Sequence, residues 1–356
     1  MTQVMLWVAV VAVVAGVAGV AGCGGHGSKS QTTSRSTETS TSNTSATPAF
    51  RASGPPVVVA SGIPYAANLA IDARGGLWVA SDAGGPNPAD GVWYVPPGGR
   101  PRHVAAGMDA TVGLAWVGER LYVSHISGPT TGAVTVFDGF SGRRFKTSRA
   151  VLDNLRIGRN AVGSLALGPN GRLFVGLGAP EDHSGPPGRV LSFAPSGGSP
   201  LLEATGLRNP FGLAFDGGRL LVTDSGRDDL GPFRPRDELN AFEPAGPTAN
   251  FGFPGCYGQG GAACAGTRPP IAAFPAHSSP DGVAVKGHVA FVAESGSSFV
   301  QNPTGSDIVR IDLRTGRQDV FWRSPVKHDP IGVAIGPDGN LYVTLYASSK
   351  IVRFKL

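Results

Sequence analysis

The sequence predicts an all-β chain folded as a six-bladed propeller of four-stranded blades, closed into a ring by its own N-terminal strand. Three observations predict it. Only 15% of the 356 residues are charged, while Gly numbers 53 and Pro 30, a composition poor for helices and rich in turn formers. One unit, a short apolar strand, a glycine turn and a second apolar strand, recurs six times, starting at Leu69, Leu114, Leu165, Leu213, Val283 and Val333. The sixth copy stops one strand short, at Ile351-Val352-Arg353-Phe354, and an unclaimed strand, Val57-Val58-Val59, stands at the opposite end of the domain.

The first two strands of each unit are legible directly. Leu69-Ala70-Ile71 leads through Gly75-Gly76 to Leu77-Trp78-Val79, and Val333-Ala334-Ile335 leads through Pro337-Asp338-Gly339 to Leu341-Tyr342-Val343. A third strand follows, as in Gly91-Val92-Trp93-Tyr94-Val95 or Ile308-Val309-Arg310-Ile311. Four strands in about 50 residues is the size of a propeller blade. Pairing Val57-Val58-Val59 with the last strand would close the ring and leave no free edge there. The propeller is therefore expected over residues 56–356.

Residues 1–22 read as a lipoprotein signal peptide and residues 23–55 as a flexible tether. An uncharged apolar run over residues 4–22 ends in Val20-Ala21-Gly22-Cys23, which resembles a bacterial lipobox with Cys23 as the lipidated residue. The alternative is an uncleaved membrane anchor, since about 20 apolar residues span a bilayer. Either reading places the remainder outside the cytoplasm, on the outer face of the cytoplasmic membrane or in the periplasm. The Ser/Thr-rich stretch after Cys23 has almost no large apolar residue and cannot bury enough surface to fold. Its random-coil reach is roughly 30 Å. Cys256 and Cys264, the two remaining cysteines of an exported chain, are expected to form a disulfide in a long insertion between blades four and five. The net charge of +5 is small and its Lys and Arg are scattered, so nucleic acid is excluded as a partner.

In a propeller the loops entering the inner strands share one face with the loops leaving the second strands. The first set carries Tyr65, Asn68, Asp109, Arg159-Asn160, Arg208-Asn209, His277 and Lys327-His328-Asp329. The second carries Asp82, His125, Glu181-Asp182, Asp224, Glu294 and Tyr346. Polar groups from six blades thus converge on one channel mouth, where a small-molecule pocket is expected.

Several segments carry a family resemblance. Gly206-Leu207-Arg208-Asn209-Pro210-Phe211-Gly212-Leu213-Ala214-Phe215 resembles the G-x-R-N-P-x-G-L-A-F signature of the glucose/sorbosone dehydrogenases. Asp237-Glu238-Leu239-Asn240 and Asn250-Phe251-Gly252-Phe253-Pro254 are similar to that family's D-E-I-N and N-Y-G-W-P. The resemblance implies a pyrroloquinoline quinone (PQQ) over the channel mouth and oxidation of an aldose at its anomeric carbon. Arg208, Asn209, Asn160, Lys327 and His328 would contact cofactor or sugar. Asp224, Asp237 and Glu238 would supply oxygen ligands to calcium.

The sequence also departs from the family. Its catalytic His falls on Asn160, which cannot take a proton. Asp329 and Pro330 stand where the family has arginines for the cofactor's carboxylates, and Asp329 is expected to repel them. Glu294-Ser295-Gly296-Ser297-Ser298-Phe299 lacks the His, Trp and Asn of the family's E-H-G-S-W-N. His277 is the candidate replacement base, with His328 also beside the channel. The expected function is a cell-surface PQQ-dependent sugar dehydrogenase with an altered site. The alternatives are a non-catalytic propeller that binds a glycan, peptide or protein, and a lactonase- or lyase-type propeller.

Overall fold

The computed structural model describes residues 52, 54–158, 162–181, 183–257, 262–298 and 300–356. Cys23, Asn160 and the segments assigned to signal peptide and most of the tether lie outside them.

Six sheets, each of at least four strands, follow one another along the chain. Blade one spans residues 66–106, blade two 114–156, blade three 162–207, blade four 210–273 and blade five 280–323. Blade six takes three strands from residues 330–354 and its fourth from Val57–Ser61, which pairs antiparallel with Lys350–Phe354. The expected closure is therefore present. The first strands of successive blades touch around the whole ring, Ala66–Ile71 meeting both Pro330–Ile335 and Leu114–Val117.

Alternation along the strands explains why the blades stack. In the second strand of blade four, Leu220 and Val222 pack toward blade three, while Leu221 between them packs toward blade five. A period of two feeds both faces of every sheet. Six apolar clusters result, one per blade interface, with Phe174, Phe291 and Trp78 among their buried anchors.

The inner ring is tight because glycine recurs on the inner strands. A Cβ on Gly212 would collide with the Asp281 carbonyl oxygen, and one on Gly163 with that of Pro210. Side-chain hydroxyls bridge the same seams. Thr223 Oγ1 accepts from Gly212 N at 2.7 Å and donates to Asp281 O at 2.6 Å. Ser124 links Gly113 to Gly163 in the same way, at 2.8 and 2.7 Å. These contacts fix the inner strands, and hence the loops that rise from them.

One expectation needs correction. The long insertion lies inside blade four, between its third strand Glu238–Phe242 and its fourth, Ala272–Ala273. It crosses back to blade three, where Ala249–Asn250 pairs parallel with Leu201–Leu207. Within it Cys256 and Cys264 form the expected disulfide, with Cα atoms 4.9 Å apart.

Candidate functional site

Loops on one face bring together two arcs of very different character. The first is built on blades four and five. Arg208 precedes the inner strand of blade four and is 3% exposed. Its amide and that of Asn209 donate to the Asp224 carboxylate, the latter at 2.6 Å. Its guanidinium donates to Asp228 at 2.9 Å. Asp228 also faces His277 Nδ1 at 3.1 Å and accepts from Ser297 Oγ at 3.0 Å. His277 Nε2 donates to the Gly231 carbonyl at 2.9 Å. Both ring nitrogens of His277 therefore face oxygen acceptors, and the ring is 5% exposed. Asp228 thus joins the loop of residues 225–237 to blade five.

Beneath this arc lies a group of buried carboxyls. Asp237 accepts from Gly226 N at 2.7 Å and Ser279 N at 2.8 Å, and burial pushes it up to about 6. Burial likewise raises Asp281 to about 7 and Glu294 to about 8, with neighbouring acids adding to both shifts. One oxygen of Asp281 and one of Glu294 are buried without a hydrogen-bond partner.

The proposed calcium trio is not brought together. Among the described residues no group of three or more His, Cys, Asp or Glu is placed to hold a metal. Asp237 is committed to loop amides, and alternation turns it from the face of Glu238. Asp224 and Glu238, directly opposite each other across the two strands, share a pocket closed by Phe251, Phe253 and Cys256. Burial and their mutual repulsion raise Asp224 well above the carboxylate range, and burial raises Glu238 to about 7. Asn240, on the same strand face, donates to Glu238 at 3.2 Å while its own Oδ1 is buried without a partner.

The second arc is built on blades six and one. Asp329 does not face the channel as a repelling charge, contrary to expectation. It is 1% exposed and accepts from Ser348 N at 2.8 Å, Ser348 Oγ at 2.7 Å and Ser324 Oγ at 3.2 Å, so it staples two loops. Lys327 is exposed. His328 is partly exposed, and its Nδ1 lies 3.0 Å from the Gly296 carbonyl. A carbonyl only accepts, so the neutral ring carries its proton on Nδ1 and its lone pair on Nε2. Tyr65 and Tyr346 meet with ring centroids 5.8 Å apart at 52°, and Tyr65 is 38% exposed. The backbone is left-handed at Tyr65, His277 and His328, each within three residues of an inner strand, which turns each loop over the rim.

Sequence reasoning missed Asp228, Ser297 and Asp281. Asp281 carried a signal. The residue two before the Leu-Ala or Val-Ala pair of the inner strand is Ala67, Val112, Gly163, Phe211 and Ile331 in the other five blades, so an acid there is anomalous. Asp228 carried none, because its partners are 20, 49 and 69 residues away.

Three solved structures are close in fold. The PQQ-bound aldose sugar dehydrogenase of Streptomyces coelicolor is 21% identical, with a TM-score of 0.68 over 84% of this chain and 96% of that one. A Trichoderma reesei protein of carbohydrate-active enzyme family AA12, solved with calcium, is 19% identical, with a TM-score of 0.69 over 86% and 96%. The PQQ domain of pyranose dehydrogenase from Coprinopsis cinerea is 16% identical, with a TM-score of 0.68 over 84% and 94%. No family model and no curated protein matches the sequence. At these identities the likeness is one of architecture: the chain has the six-bladed propeller fold of the PQQ-dependent sugar dehydrogenases.

Proposed function

We propose that this chain is an exported sugar dehydrogenase of the PQQ-dependent kind whose site has been altered. The observation that carries the reading is the Arg208-Asn209 turn, held rigidly at the channel mouth by Asp224, in a fold shared with enzymes that bind PQQ. Lys327, exposed at the same mouth, and the part-exposed Asn209 supply donors for a quinone oxygen or carboxylate. A bound PQQ would supply the hydride acceptor for oxidation of the sugar. The residues of this chain have to bind and orient the sugar and take its hydroxyl proton.

His328 suits the last task better than His277. Its Nε2 lone pair is fixed by the Nδ1 contact to Gly296, whereas both nitrogens of His277 are committed. The pocket behind Arg208 would offer calcium two carboxylates, Asp224 and Glu238, with Asn240 hydrogen-bonded to Glu238 beside it. Export with lipidation at Cys23 is supported by the apolar leader and by the disulfide, which belongs to an oxidising compartment.

The test is reconstitution with PQQ and calcium, followed by dye-linked oxidation of a sugar panel. Aldose oxidation is expected, and His328→Gln should lower it by about 10²-fold or more. If PQQ does not bind at high micromolar concentration, the enzyme reading falls. The second reading, a propeller that binds sugar without oxidising it, would then lead. It is favoured by the burial of the Arg208 guanidinium against Asp228, which commits that cation to a carboxylate of the protein's own.

A further inference from the structure

The arc on blades six and one combines aromatic faces with acids. Tyr65, 38% exposed, and Tyr346 form a wedge, their ring centroids 5.8 Å apart and the rings tilted by 52°. The Asp82 amide donates to the Tyr65 carbonyl at 3.0 Å, and the Tyr346 amide donates to the Asp329 carbonyl at 2.7 Å, so both rings sit on fixed backbone. One oxygen of Asp82 accepts from Gly84 N at 2.7 Å. Asp90, buried close by, accepts from Ala83 N and Ala110 N. No basic side chain pairs with Asp82 or Asp90 among the described residues. The charges that act on Asp82 and on the Tyr346 hydroxyl are acidic: Asp90 in the first case, Asp82 and Asp90 in the second. Burial, with Asp90 beside it, holds Asp82 at about 6, as expected for a carboxylate lacking a counter-cation.

Two ring faces with negative quadrupoles, next to a carboxylate with acceptor capacity to spare, form a receptor for positive charge. A neutral sugar would use the rings and leave the carboxylate without a cation. We propose that the Tyr65–Tyr346–Asp82 wedge binds an ammonium group, so that the preferred ligand is an amino sugar rather than a neutral hexose. The sugar scaffold in this statement rests on the dehydrogenase reading; the recognition of ammonium does not.

Calorimetric titration of the PQQ-free protein at pH 7 tests it, with D-glucosamine, D-glucose, N-acetyl-D-glucosamine and choline as probes. D-glucosamine should bind about tenfold more tightly than the two uncharged sugars, in keeping with an ammonium seated on aromatic rings beside a carboxylate. Asp82→Asn keeps the acceptor used by Gly84 and removes the charge; it should bring the three sugars to within about twofold. Tyr346→Phe, which keeps the ring, should preserve the preference. Equal affinity for D-glucosamine and D-glucose in the unaltered protein, a preference that survives Asp82→Asn, or no binding of either cation overturns the proposal. Binding of choline that Asp82→Asn abolishes, with no sugar bound, upholds the wedge and overturns the sugar reading. PQQ binding is measured separately, so the two ideas fail independently.

Discussion

The two arcs of the channel mouth are built from similar residue types and end in opposite states. On blades four and five, Arg208, Asp228, His277 and Ser297 satisfy one another, and Asp228 alone takes three side chains. On blades six and one, Lys327 is exposed, His328 keeps a lone pair at Nε2, and among the described residues no basic side chain pairs with Asp82. Polar groups at a propeller mouth are thus not equivalent. Those that saturate each other hold loops in place, whereas those left with unused capacity are where a ligand can gain.

Substitution on the saturated side should damage stability. Asp228→Ala takes the carboxylate from a buried guanidinium and is expected to cost about 3–5 kcal/mol in denaturant unfolding. A loss below about 1 kcal/mol would show that the network is dispensable. The buried acids beneath that arc should respond to pH. Glu294 is raised from 4.5 to about 8, so the folded protein holds a proton that the unfolded chain releases. Its contribution is present below about pH 4.5 and is lost as pH rises toward 8. Glu294→Gln cannot ionise, so it should stabilise by about 1–3 kcal/mol at pH 8 and be near neutral at pH 4. Thermal melts across that range would expose the opposite trend. The smallest effect belongs to the open arc: burial holds Asp82 at about 6, so Asp82→Asn should leave the unfolding free energy at pH 7 unchanged or raise it by up to about 1 kcal/mol while changing ligand preference. A large loss of stability would place Asp82 with the scaffold and erase the contrast.

The propeller was legible because its signal is local and repeated. Each inner strand carries its own Leu-Ala or Val-Ala pair, a self-contained pattern, and the missing final strand announced the closure. The Arg208-Asn209 turn was legible for the same reason, since it abuts a recognisable inner strand. What the sequence could not carry was pairing at long range. Asp329 looks like a free charge in sequence, and only folding brings Ser348 to neutralise its hydrogen-bonding demand. His277 looks available until the loop carrying Asp228 and Gly231 is laid against it. The insertion was placed one strand too late because its own fourth strand, Ala272–Ala273, is too short to show a period.

The clasp between Val57–Ser61 and Lys350–Phe354 has a consequence for biogenesis. The first strand of the domain has its partner almost 300 residues downstream, so it stays unmatched until the C-terminal segment has been made. Contacts this distant in sequence slow folding. A ribosome-bound chain can stack blades one to five but cannot lock the circle. The loops of blades six and one then reach their final positions only after the last strand arrives, which makes that arc the latest part of the mouth to form.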